Sequence, residues 1–234
     1  KNKRQPLNKS KRRELIKQFF IPILCIVLLY VSLTVLRDFR DNFNREIWDG
    51  LHYQFDSSIF TLTEIPIAVM VLLILSGMVK VKNNKKAFKY YHYILFAGIL
   101  TVGFSTYLFQ NGAISPFFWM VLSGFGMYIC YIPFNGIYFD RMIAAFEIKG
   151  NVGFLIYVVD SFGYLGSVLI LLYKNFGSAK TSWLNFYIHL NYIIVAIVLI
   201  TSIIAFLSFR KRARPNSNIN SESNQYINFD TSKI

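Results

Sequence analysis

Apolar residues along the chain fall into six long runs separated by short polar connections. The runs are Phe19–Leu36, Ile59–Val79, Tyr90–Phe109, Phe117–Phe139, Val152–Tyr173 and Trp183–Phe209. Each has the roughly 17–25 residues a helix needs to cross a hydrocarbon core about 30 Å thick. Lipid offers no partner to backbone N–H and C=O groups, so such a run must satisfy them internally, as a helix. The pattern predicts an all-α polytopic membrane protein with six transmembrane helices. It divides the chain into a basic segment (1–17), a membrane domain (18–209) and a tail (210–234) that is basic at first and then Asn/Ser-rich and disordered.

Polar residues inside these runs recur at helical steps. In the fifth run, Gly153, Tyr157, Asp160, Tyr164 and Ser167 follow steps of four, three, four and three, one face of a helix. The fourth run repeats the pattern with Gly124, Tyr128, Tyr131, Asn135 and Tyr138. The first does so with Tyr30, Thr34, Arg37 and Asp41 if its helix continues past Leu36, and the second offers Ser57, Thr61, Glu64 and Ala68. The third run has only a small-residue stripe, Gly98, Thr101 and Ser105, and the sixth is apolar all round over Ile193–Ile200. Runs one, two, four and five therefore carry polar faces, expected to point to the bundle interior or a cavity. Runs three and six are expected to be lipid-facing supports, and His92 an interfacial residue.

Charge then orients the helices. Of the 25 Lys and Arg residues, eight lie in segment 1–17, five in the second connection (Lys80, Lys82, Lys85, Lys86, Lys89), two in the fourth (Arg141, Lys149) and five in the tail. Only Arg37, Arg40, Arg45, Lys174 and Lys180 fall on the other side. Cytoplasmic retention of Lys and Arg predicts both termini in the cytoplasm. The net charge of +13 is thus a topology signal. No zinc or base-stacking motif accompanies it, so nucleic acid is not an expected partner. Cys25 and Cys130 both lie inside apolar runs and read as small buried hydrophobes, not a disulfide or a metal pair. No metal and no cofactor is expected. The chain lacks an initiator Met and opens on a basic, Pro-containing segment, which suggests a piece of a longer protein.

Candidate chemistry follows from depth. Asp160 is about 11 residues beyond Lys149, roughly 16 Å into the bilayer at 1.5 Å per residue. A carboxylate there must be paired, hydrated or protonated. It is either a proton- or substrate-coupling site or a structural carboxylate bonded to a neighbouring Tyr or Asn. Glu64 lies near the outer end, two residues before Pro66, which opens the helix backbone. Arg37, Asp38, Arg40 and Asp41 are spaced for i,i+3 and i,i+4 pairs, as a rim network or an outer gate. The candidate cavity residues are Asp160, Glu64, Asn135, Arg37, Asp41, Tyr30, Tyr131 and Tyr157. Asp140 and Arg141 read as an interfacial pair at the cytoplasmic end of the fourth helix.

Gly77-Met-Val-Lys80-Val-Lys82-Asn-Asn-Lys85-Lys86, between the second and third helices, is similar to the Gly-x-Leu-Ala-Asp-Arg-x-Gly-Arg-Arg loop of the major facilitator superfamily (MFS). The opening Gly and the basic positions match, whereas the Asp and second Gly do not. Together with the polar partition, this resembles the carboxy-terminal six-helix half of an MFS transporter. The runs Arg37-Asp38-Phe39-Arg40-Asp41-Asn42-Phe43, Tyr131-Ile-Pro133-Phe-Asn135, Phe139-Asp140-Arg141 and Asp160-Ser-Phe-Gly163-Tyr-Leu-Gly166 resemble an uncharacterised bacterial MFS-like family of unknown function, over about residues 15–210. The resemblance implies a 3+3 inverted repeat. It also implies a partner amino-terminal bundle, an inner-membrane location, and a gating loop built on Gly77, Lys82, Lys85, Lys86, Asp140 and Arg141.

The leading expectation is a secondary transporter half that moves a small solute by alternating access, with Asp160 as a possible proton site. The alternative is a non-transporting membrane sensor or assembly protein of the same fold. An enzyme is not expected. Asp160 sits in Val-Val-Asp-Ser with no second midplane Asp, no His faces a Ser at matching depth, and no Gly-rich nucleotide loop is present.

Overall fold

The computed structural model describes residues 20–52, 56–146, 152–177 and 180–212. The basic segment 1–17, Lys149 and most of the tail lie outside the described residues. The described residues form eight α-helices and no strand: α1 (Phe20–Asn42), α2 (Asn44–Gly50), α3 (Ser58–Val79), α4 (Asn84–Gln110), α5 (Pro116–Tyr131), α6 (Ile137–Ala145), α7 (Val152–Leu172) and α8 (Trp183–Arg212). Six of the helical segments are long and apolar enough to cross a membrane. The chain is an integral, multi-pass membrane protein by that measure.

Three boundaries differ from the apolar runs. α1 continues six residues past Leu36, so Arg37, Asp38, Arg40 and Asp41 are helical. α4 begins at Asn84, six residues before its apolar run, because Asn83 caps it by accepting the Lys86 N–H at 3.0 Å. The fourth run is not one helix. After Tyr131 it tightens into a 3₁₀ turn, Ile132–Asn135, and restarts as α6 beyond Gly136. Pro133 supplies no backbone N–H, and Gly136 adopts φ +140°, open in practice only to glycine. The change of pitch ends the four-three stripe at Tyr131 and turns Asn135 to the exposed surface.

α1 and α5 are the most buried of the spanning helices, while α3 and α7 are the least. α1 packs on α8, α7 and α5; α5 packs on α4, α3 and α1; and α4 packs on α8. With the spans numbered one to six, this set maps onto itself when one exchanges with four, two with five and three with six. A 3+3 inverted repeat generates that pattern. Spans three and six are not plain apolar supports. α4 buries His92, Ser105 and Thr106, and α8 buries Asn191, Thr201 and Ser202. His92 is held inside by its ring contact with Phe88 and by Tyr138, whose hydroxyl lies 3.4 Å from Nε2.

Lipid is as apolar as a leucine core, so helices in it are held by close packing and interhelical hydrogen bonds. α4 and α5 approach each other closely. An added Cβ at Gly98 would lie 2.6 Å from Cys130 Sγ and 2.8 Å from the Gly126 carbonyl, so both glycines are needed for the backbones to meet. Gly98→Val is expected to lower stability by about 1–3 kcal/mol through overpacking. Thermal unfolding in detergent checks this, and Gly77→Val, in open space, is the control.

The connection after α1 folds as α2, with Ile47 and Trp48 fully buried and Gly50 packed on Leu184 of α8. Phe43 stacks on Trp183 at 4.0 Å, and Phe39 stacks on Phe186 at 5.0 Å. These rings close one end of the bundle. The lysine-rich connection between α3 and α4 marks the other.

Candidate functional site

The site is a polar band on the second half of α1. From Tyr30 to Asp41 it covers about 16 Å of helix. Helical steps split it into two adjacent faces, each meeting different neighbours.

The first face carries Tyr30 and Arg37. The Tyr30 hydroxyl donates to Asp160 Oδ1 on α7, and lies 3.3 Å from the Tyr131 hydroxyl on α5. The two tyrosine rings sit 5.5 Å apart. Above them, the Arg37 guanidinium covers the Tyr131 ring at 4.3 Å and donates through Nε to Asp38 Oδ1 at 2.9 Å. Arg37, Tyr131, Tyr30 and Asp160 therefore form one continuous chain across three helices. Glycines make it possible. A Cβ at Gly163 would lie 3.0 Å from the Tyr30 ring, and one at Gly166 would lie 2.6 Å from Val31. Without side chains there, α7 comes close enough to α1 for Asp160 to reach Tyr30.

The second face carries Arg40. Its side chain is 0 % exposed. Nη2 pairs with Glu64 Oε1 of α3 at 2.7 Å and donates to the Met120 carbonyl of α5 at 3.4 Å. Nη1 lies 3.8 Å from Asp41 Oδ1. Asp41 in turn accepts from the Tyr128 hydroxyl at 2.8 and 3.0 Å. Gly124 provides the notch, since a Cβ there would come within 2.9 Å of Nη2. Behind Arg40, Tyr187 and Asn191 of α8 are both fully buried. An intramembrane guanidinium is tolerated only with a close counter-charge, and Glu64 supplies it.

Six of the eight cavity candidates thus fall into these two groups. Tyr30, Tyr131, Arg37 and Asp160 lie in the first, and Glu64 and Asp41 in the second. The other two do not join them. Tyr157 is 76 % exposed, because the buried side of α7 runs through Leu155, Val159, Gly163 and Ser167. Asn135 is exposed beyond the 3₁₀ turn. Of the rim pairs expected on α1, Arg37 bonds its chain neighbour Asp38, and Arg40 crosses to another helix.

Arg40 as a buried residue is the main position the sequence reading missed. A signal was present: Leu29, Leu33, Leu36 and Arg40 follow steps of four, three and four, and all are buried. Arg40 ends an apolar stripe and so faces the core. Asn191 continues Tyr187 towards Ile194 and Val198 in the same way.

At the lysine end, Gly77 stands in open space, and Lys82, Lys85 and Lys86 are exposed. Asp140 is exposed too. Arg141 Nη1 donates to Asn84 Oδ1 at 2.7 Å, tying α6 to the first residue of α4. Among the described residues, no group of three His, Cys, Asp or Glu side chains is placed to hold a metal ion.

No curated protein and no solved structure matches the chain. The model of a family of unknown function, DUF5690, matches residues 1–212, and the chain belongs to that family.

Proposed function

We propose that this protein is a carrier, not an enzyme. It works as one six-helix half of an MFS-type secondary transporter and moves a small solute by alternating access, with Asp160 as the proton-coupling group. The observation that carries this reading is the chain from Arg37 through Tyr131 and Tyr30 to Asp160, which joins α1, α5 and α7 inside the membrane-spanning region. A carboxylate at that depth is retained at a cost, and the usual reason is a substrate or proton path. The inverted-repeat packing supports the same reading, since such repeats place their sites where the two halves meet. The partner would be a second six-helix bundle facing the side on which Glu64, Asp41 and Asp160 remain partly exposed. Both termini are assigned to the cytoplasm on the basic-residue excess.

A single-cysteine test addresses it. Asp160→Cys, in the first group of the site, is made in a background with Cys25 and Cys130 replaced by Ala. It is expected to react with a membrane-impermeant maleimide from one side only, as a cavity residue would. Complete protection from both sides would instead favour a sensor or assembly protein whose polar groups serve packing.

A further inference from the structure

The outward face of α4 changes chemistry in order along its length. Lys86, Tyr90, Tyr93 and Ala97 follow steps of four, three and four, and Leu100, Phe104 and Tyr107 continue them at three, four and three. All of these are exposed, whereas Phe88, Tyr91, His92 and Leu95 on the opposite side are buried. The stripe starts with a cation, passes two tyrosines and becomes apolar. Lys89 stands beside it, its ammonium 5.4 Å from the centre of the Tyr93 ring. Tyr90 and Tyr107 are about 26 Å apart at 1.5 Å per residue, so they flank the apolar stretch as interfacial tyrosines do. From Lys89 to Leu100 the face covers about 16 Å, the depth of one leaflet of a core about 30 Å thick.

Cations gather at the upper end of this face from several elements. Lys80, Lys82, Lys85, Lys86 and Lys89 are all exposed. Among the described residues, no ion pair joins any of them to a carboxylate. Arg141 of α6 is held beside the start of α4 by Asn84, at 2.7 Å. Phe209 of α8 lies 5.2 Å from Phe88 of α4, ring to ring, and the chain runs on from it as Arg210-Lys211-Arg212. Topology accounts for the side of the membrane on which the lysines lie. It does not require that two of them head a stripe of tyrosines and apolar side chains one leaflet deep.

We propose that this face of α4 binds an anionic phospholipid of the surrounding bilayer. Lys86 and Lys89 hold the phosphate, Tyr90 and Tyr93 pack on the glycerol and ester region, and an acyl chain runs over Ala97, the smallest side chain of the stripe. Unpaired ammonium groups select an anionic headgroup, because a zwitterionic one brings its own cation. The continuation of the stripe into the hydrocarbon favours a lipid over a soluble acidic partner. Neither the Asp160 chain nor the Arg40 pair contributes to this face, so it stands or falls independently of the transport reading.

Native mass spectrometry of the purified full chain in a neutral detergent tests this, by counting retained lipid in separate titrations with phosphatidylglycerol and phosphatidylcholine. Phosphatidylglycerol is expected to bind saturably and about tenfold or more tightly than phosphatidylcholine. Glycerol 3-phosphate, which has the anionic group without the chains, is expected not to be retained. Lys86→Gln/Lys89→Gln changes two exposed side chains and is expected to fold normally and to lose about tenfold in affinity for phosphatidylglycerol. Lys180→Gln, exposed at the opposite end of the bundle, is the control and is expected to bind as wild type does. Equal affinity for the two lipids, equal retention of glycerol 3-phosphate, an unchanged affinity in Lys86→Gln/Lys89→Gln, or the same loss in Lys180→Gln overturns the proposal.

Discussion

Glu64→Ala is expected to destabilise the bundle by about 3 kcal/mol, the largest single effect of a side-chain truncation in the site. The reason is the position of its partner. Arg40 is fully buried, and Glu64 is the carboxylate in direct contact with it, at 2.7 Å. Among the described residues, removing Glu64 leaves the guanidinium in a low-dielectric core with a carbonyl at 3.4 Å, Asp41 at 3.8 Å and the Tyr128 ring at 5.9 Å. The double variant Arg40→Met/Glu64→Ala removes the orphaned charge, with Met filling the space of the guanidinium stem. It is expected to recover most of the loss, because replacing a buried pair costs less than breaking it. Denaturation of the four proteins of this cycle in mixed micelles measures the coupling. A double variant as unstable as the sum of the two single ones would mean that Arg40 and Glu64 act separately.

The second large effect concerns Asp160. Asp160→Asn keeps a hydrogen-bond acceptor for Tyr30 and removes the negative charge. It is expected to leave the protein folded and to cost about 1 kcal/mol, as a hydrogen bond to a charged group becomes a neutral one. Tyr30→Phe makes the opposite change. The carboxylate remains, and its donor from α1 is gone. That loss of a hydrogen bond to a charged group is expected to cost about 1.5–3 kcal/mol, read by thermal unfolding in detergent. If Tyr30→Phe is as stable as wild type, the contact between α1 and α7 does not rest on this hydrogen bond.

The parts of this molecule that were legible in sequence are those set by a single helix and its solvent. Six spans could be read because lipid demands long apolar runs, and the Tyr30, Asp160 and Tyr131 positions because they stand out from them. What could not be read depends on a second helix. Arg40 looks like a rim charge beside Asp38 and Asp41. Only its step relation to Leu33 and Leu36 aims it inward, and only Glu64 on α3 makes that tolerable. Asn135 looks aligned with Tyr131 until Pro133 changes the helical pitch. Tyr157 shares a stripe with Asp160, yet the glycines at 163 and 166 choose which side of α7 meets α1.

The interruption of the fourth span also has a mechanical meaning. Tyr131 is the last residue of α5, immediately before the 3₁₀ turn, and it touches both Tyr30 and Arg37. On the far side of the turn, α6 is tied to the start of α4 by Arg141 and Asn84. The ring that touches Arg37 and Tyr30 and the guanidinium that ties α6 to α4 therefore sit on one short stretch of chain, on either side of the Gly136 break. Because φ +140° is open in practice only to glycine, a side chain at 136 would disturb both contacts together.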